Sequence, residues 1–220
     1  MSIYLHVCIS GFRQRQGHWN GALTIRESLI CNGHSLGIQS RVEYYTWDTP
    51  WCDVAEYAAA LQRKYREDDN LVVLVYAYSW GAGWGAMRLA KKLGARGINI
   101  RVMVLCEPIY RHPNPLMRWR AMSTVDLPFL PQPTIRAPDN VDEIWWFVQR
   151  QNRPSGHRIL AQSSETVIHE PVELHAEHQH MHQQKEWHDK CLEVANEIVN
   201  FGGLAKSTAV VVPRDQVLPP

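Results

Sequence analysis

Leu71-Val72-Val73-Leu74-Val75-Tyr76-Ala77-Tyr78-Ser79-Trp80-Gly81-Ala82-Gly83 is the stretch on which the fold turns. Leu71 to Tyr76 is wholly aliphatic, β-branched or aromatic, the composition of a strand covered on both faces. Gly81 to Leu93 reads as a helix, so the chain passes from strand to helix within a few residues. Between them, Ser79 has a small residue two places before it (Ala77) and another two places after it (Gly81). A serine hydroxyl that protrudes from a tight strand-to-helix turn needs small residues there, because those positions press on neighbouring backbone. The helix N-terminus behind it points N–H groups and a positive dipole end at charge developing on a bound group.

Outward from this turn, short apolar runs alternate with helical patterns. Ile3 to Ser10 reads as a buried strand stopping at Gly11. Ala22, Ile25, Leu29 and Ile30 recur at helical spacing, with Gly33 as the expected C-terminal stop. Gln39 to Trp47 is a second strand, and Asp48-Thr49-Pro50 opens a helix whose apolar stripe is Val54, Tyr57, Ala58 and Leu61. Ile100 to Cys106 is a strand, apolar apart from Arg101. A later strand is expected at Ile144 to Gln149 and an amphipathic helix at Trp187 to Val199. Continuously apolar strands between helices predict an α/β fold: a three-layer sandwich with a mostly parallel central sheet and helices on both faces.

The pattern breaks between Glu107 and Asn140, which is rich in Pro, Met, Arg and Trp and too long for a simple connection. It reads as a cap at about 108–140, inserted between two late strands of a single domain spanning 1–205. Residues 206–220 form a Pro-bearing tail. Its Ala209-Val210-Val211-Val212 run suits a loose terminus or a strand added to a sheet edge or a second subunit, so the oligomeric state stays open.

With 220 residues the chain can bury a full core, and 45% apolar and 20% charged residues are those of an ordinary globular protein. A net charge of +1 gives no reason to expect nucleic acid or an anionic membrane as partner. Five scattered cysteines without a CxxC pair argue against a disulfide framework or a cysteine-rich zinc site. With no signal-peptide pattern and no stretch of membrane-span length, the expectation is a cytoplasmic protein without a membrane span.

The Ala77-x-Ser79-x-Gly81 turn, with a buried strand before it and a helix after it, resembles the nucleophile elbow of the α/β-hydrolase family. That elbow is Gly-x-Ser-x-Gly, and Ala77 takes its first place here. The resemblance spans Ile3 to about Phe201 and implies a serine hydrolase with Ser79 as nucleophile, a histidine as base and a carboxylate that orients it. The family order is Ser, acid, His, each on a loop at a strand's C-terminal end. Glu107 directly follows Ile100 to Cys106. The usual acid position, one strand later, reads Arg150-Gln151-Asn152-Arg153-Pro154-Ser155-Gly156 and has no carboxylate, whereas Asp139, Asp142 and Glu143 precede their strand. Glu107 is therefore the expected acid. The base should lie among His169, His175, His178, His180, His182 and His188. His178-Gln179-His180-Met181 resembles the element that opens the family's last helix, which favours His178 with His180 in reserve. The resemblance also implies an oxyanion hole from the backbone N–H of Trp80 and of Phe12, in the Gly11-Phe12 turn.

Other readings use the same residues. Gly81-Ala82-Gly83-Trp84-Gly85-Ala86 fits G-x-G-x-x-A, with Glu107 past the next strand, as in a dinucleotide-binding unit. Such fingerprints usually begin at the first strand, and a phosphate loop has no use for the inserted Ala-Tyr-Ser-Trp. His175, His178 and His182 have helical spacings that would suit a metal, but the glutamate of a zinc-protease helix is missing. A hydrolase-like scaffold used only for binding is a third possibility. In the leading reading no cofactor is needed and the substrate is a small-molecule ester or thioester. The cap residues Ile109, Tyr110, Leu116, Met117, Trp119, Met122, Leu127, Phe129 and Leu130 favour an apolar acyl or alkyl group on it. Arg111, Arg118 and Arg120 would attract an anionic leaving group or simply form a solvated charged face.

Overall fold

β-branched and aliphatic runs form seven parallel strands of one sheet, in the spatial order Ser40–Tyr45, Ile3–Ile9, Leu71–Tyr78, Ile100–Cys106, Glu143–Val148, Val167–Ile168, with Val172–Glu173 also pairing Glu143–Val148. The computed structural model describes residues 2–14, 18–36, 40–65, 71–111, 114 and 133–200. The strands are β1 (Ile3–Ile9), β2 (Ser40–Tyr45), β3 (Leu71–Tyr78), β4 (Ile100–Cys106), β6 (Glu143–Val148), β8 (Val167–Ile168) and β9 (Val172–Glu173). β5 (Ile135–Ala137) and β7 (Ile159–Ala161) form a separate two-stranded parallel pair. The helices are α1 (Gly21–Leu36), α2 (Trp51–Lys64), α3 (Ala86–Gly94), the single turn α4 (His178–Met181) and α5 (Lys185–Asn200).

Because side chains alternate across a strand, each central strand supplies two cores. Val7, Ile9, Val73, Val75, Met103 and Leu105 meet α2 and α3 on one face. Tyr4, Cys8, Leu74, Tyr76, Val102 and Val104 meet α1 and α5 on the other. The fold is thus the expected three-layer α/β sandwich. No helix among the described residues is long and apolar enough to cross a membrane.

The chain leaves β1 for β2 on one side and then returns for β3 on the other side of β1. Connections diverge at that point, so a crevice opens beyond the C-terminal ends of β1 and β3, where parallel sheets bind ligands. Ser79 follows β3 there, and Gly11-Phe12 follows β1.

Two local expectations need correction. α1 continues through Gly33 to Leu36. A Cβ on Gly33 would lie 2.9 Å from Ser40 Oγ, so this glycine allows close approach to β2 rather than ending the helix. The helix after Ser79 begins as a π-helical turn, Gly81–Gly85, whose wider winding lets the Ala86 N–H reach the Gly81 carbonyl. Of the expected cap, the two ends are visible and belong to the body of the domain. Ile109 is fully buried, and Ile135 and Ala137 pack into the α2/α3 core. Leu116, Met117, Arg118, Trp119, Arg120, Met122, Leu127, Phe129 and Leu130, like the 206–220 tail, lie outside the described residues.

Candidate active site

Ser79 sits where β3 runs out, with φ +55°, in the left-handed region that a side-chain-bearing residue enters only at a cost of about 1–2 kcal/mol. Neighbouring backbone overdetermines that conformation. The Ser79 N–H donates to the Cys106 carbonyl at 2.9 Å. The Ser79 carbonyl accepts the N–H groups of Gly83 at 2.9 Å and Ile109 at 3.1 Å. The turn closes only because glycines let backbone press on backbone. A Cβ on Gly81 would fall 2.4 Å from the Ser10 carbonyl oxygen, and one on Gly83 would fall 2.1 Å from that of Ile109.

Glu107 is the first residue beyond β4, fully buried, and its φ is +49°. Its N–H continues the ladder by donating to the Phe147 carbonyl at 2.8 Å. Four donors converge on its carboxyl group. Oε1 accepts the backbone N–H groups of Gln149 (2.7 Å) and Gly156 (3.1 Å). Oε2 accepts from Gln149 Nε2 at 3.1 Å and lies 3.0 Å from His178 Nδ1. A buried carboxyl group needs such partners to offset lost hydration. The loop after β6, which carries no acid of its own, is therefore built to hold the acid of β4.

Gln149 organises that loop. Its Oε1 accepts the N–H groups of Gln151 (2.7 Å) and Asn152 (2.9 Å). Its Nε2 also donates to the Asn152 carbonyl at 2.8 Å. Asn152 Oδ1 in turn accepts the His178 N–H at 2.8 Å.

His178 opens α4, and its Nε2 stands 3.1 Å from Ser79 Oγ. Since Oε2 of Glu107 accepts, Nδ1 is the nitrogen that carries the proton, and Nε2 is left to accept from the serine hydroxyl. The ring stacks on Tyr78, with centroids 5.4 Å apart, and Tyr78 Oη donates to the His178 carbonyl at 2.6 Å. Ser79, His178 and Glu107, 28 to 99 residues apart in sequence, thus form one hydrogen-bonded chain.

The other histidines are placed elsewhere. His180 is exposed, with Nδ1 4.0 Å from Glu177 Oε2. His182 is buried against the edge of Tyr78 at 5.1 Å, and its Nδ1 accepts the Gly21 N–H at 3.1 Å. Burial, reinforced by neighbouring histidines, pushes it down to about 4. His169 stacks on Trp145 and bonds Glu143 at 2.8 Å, far along the sheet edge. Among the described residues, His175, His178 and His182 belong to no set of three metal-ligating side chains.

The two residues expected to supply the oxyanion donors are neighbours in the fold. Trp80 follows Ser79 in the chain, and a Cβ on Gly11 would be 3.0 Å from Ser79 Cβ, so the exit of β1 abuts the serine. The Phe12 and Trp80 rings are 4.3 Å apart. Neither backbone N–H has an acceptor among the described residues.

For the dinucleotide reading the same geometry is unfavourable. The glycine faces that would meet a pyrophosphate are covered by Ser10 and Ile109, and the acid that would meet a ribose is sealed inside. No protein-family model matches this chain, and neither does any curated protein sequence. The site geometry carries the functional argument alone.

Sequence reasoning missed Tyr78, Gln149 and Asn152. A polar loop after β6 with no acid but with Gln149 and Asn152 at its head was the available signal. Tyr78 carries none, being one aromatic among several in an apolar strand.

Proposed function

We propose that the protein is a serine hydrolase of the α/β-hydrolase type that cleaves an ester or thioester through an acyl-enzyme. The observation that carries this reading is the Ser79–His178–Glu107 chain, with links of 3.1 and 3.0 Å, at a serine held at φ +55°. Ser79 Oγ attacks the carbonyl carbon while its proton passes to His178 Nε2. The N–H groups of Trp80 and Phe12 donate to the oxyanion of the tetrahedral intermediate. The bond from carbon to the leaving oxygen or sulfur breaks, and His178 returns the proton to the departing group. Water repeats the sequence, releasing the acid and restoring Ser79. Glu107 holds the imidazole in the reactive tautomer and balances its transient charge. Phe12, 40% exposed beside Trp80 and Trp47, offers an apolar wall to an acyl or alkyl group. Five scattered cysteines, two of them exposed, suit a reducing compartment such as the cytoplasm.

A fluorescent fluorophosphonate tests the reading, since it labels only a serine activated by its surroundings. Labelling is expected in the native protein, absent in Ser79→Ala, and strongly reduced in His178→Ala and Glu107→Ala. A folded native protein that takes no label would overturn the enzyme reading. Label lost with His180→Ala but kept with His178→Ala would overturn the assignment of the base.

A further inference from the structure

An open cleft of about 340 Å³ lies next to Trp80, lined by Trp47, Trp84, Arg88, Lys92, Arg111 and Asp48 among others. Its charge is lopsided, with three cations facing one acid. Arg88 and Lys92 sit four residues apart on α3, a spacing that puts two like charges on one helix face and opposes helix stability. Neither has an acidic side chain within 4.0 Å among the described residues. Among the described residues, therefore, no acidic side chain accounts for the pairing of Arg88 with Lys92 on this face, although Arg88 also packs on Trp84.

The aromatic walls tie the cleft to the serine. The Arg111 guanidinium lies over three indole rings, 4.7 Å from Trp47, 5.2 Å from Trp80 and 5.1 Å from Trp84. Arg88 covers Trp84 at 4.9 Å. Trp80 also follows the nucleophile, and its ring packs 5.0 Å from Trp47. Phe12, 40% exposed beside the Ser79 turn, has its ring centroid 5.8 Å from that of Trp47, which lines the cleft, so an aromatic surface leads from the serine toward the cations. Indole faces favour an apolar spacer, and the cations favour a negative terminus.

We infer that this cleft receives the anionic end of the substrate, so that the enzyme prefers esters or thioesters carrying a carboxylate or phosphate beyond a short apolar spacer. The inference rests on the serine hydrolase reading. Its test compares kcat/KM for charged and neutral esters of matched length. On the acyl side these are the 4-nitrophenyl esters of glutaric acid (monoester), 4-phosphonobutanoic acid and pentanoic acid. On the alcohol side they are the butanoates of 4-hydroxybenzoate and phenol. At least one charged ester is expected to exceed its neutral counterpart tenfold. In the Arg88→Gln/Lys92→Gln double variant that ratio should collapse toward one, with fluorophosphonate labelling unchanged. The arm with the larger ratio distinguishes carboxylate from phosphonate and acyl from alcohol side. Labelling of Ser79 with no charged ester preferred, or a preference that survives in the double variant, overturns the cleft and leaves the hydrolase reading standing. No labelling overturns both.

Discussion

Ser79 and Glu107 share a backbone peculiarity: each is the first residue past a parallel strand, and each has positive φ. The turn it makes aims its side chain across the C-terminal edge of the sheet instead of along a face. For Glu107 the consequence is a carboxyl group that meets donors on both oxygens. Glu107→Gln must turn an NH₂ group toward one pair of those donors, either the two backbone N–H groups or Gln149 and His178. The expected result is a kcat lower by about 10³–10⁴ with the fold retained, measured by steady-state ester hydrolysis and circular dichroism. Tyr78→Phe removes only the 2.6 Å bond to the His178 carbonyl and keeps the stacked ring. It should lower kcat by about tenfold, leaving labelling of Ser79 detectable. A kcat equal to that of the native protein would show that stacking and Asn152 suffice to position the histidine.

The unit formed by β3, the π-helical turn and α3 depends on contacts that leave no room for a methyl group. Gly83→Ala puts a Cβ into the Ile109 peptide, and Gly81→Ala puts one into the Ser10 carbonyl. Neither obstacle is a side chain that can swing away, so each substitution should cost about 3 kcal/mol or more. Urea unfolding measures this directly. A loss below about 1 kcal/mol would mean the turn relaxes easily and is not the rigid seat described. The loop from Gln149 to Gly156 contributes differently, by supplying donors. Asn152→Ala removes the acceptor of the His178 N–H and should lower kcat more than it lowers stability. Strand and helix positions in this region were legible from apolar runs and glycine placement. The π-helical winding was not, because the pattern of apolar residues over a single turn does not distinguish i→i+5 from i→i+4 bonding.

Across the whole molecule, two buried histidines, His6 in β1 and His182 just after α4, make stability depend on pH. Burial pushes His6 and His182 down to about 4 from an ordinary 6.5. Between those values the unfolded chain binds protons that the folded chain refuses. Stability is therefore complete above about pH 6.5 and is lost as pH falls toward 4, by up to about 1.4 kcal/mol per pH unit for each ring. The structural reason is visible at His182, whose Nδ1 must stay unprotonated to accept the Gly21 N–H. Urea midpoints measured between pH 4 and 7.5 should show this decline, and His6→Gln or His182→Asn should flatten it. A midpoint independent of pH in the native protein would contradict the burial of both rings.

Local residue patterns were enough to establish the strand–helix alternation, the parallel three-layer class and the position of Ser79 between β3 and its helix. Those features depend on side-chain periodicity and on small residues at fixed short offsets, which are properties of neighbours in the chain. Glu107 and His178 were approached by the order of loops along the sheet edge. Their convergence on Ser79, and the separate role of His182 four residues from His178, depend on packing between segments up to about 160 residues apart. The Gln149 loop that holds a carboxylate it does not supply has the same origin. So does the basic cleft, because Trp47, Arg88 and Arg111 meet only when α3 and the chain after β4 fold against the loop after β2. Long-range contacts of that kind have no period and no fixed spacing, and the folded sheet alone brings them together.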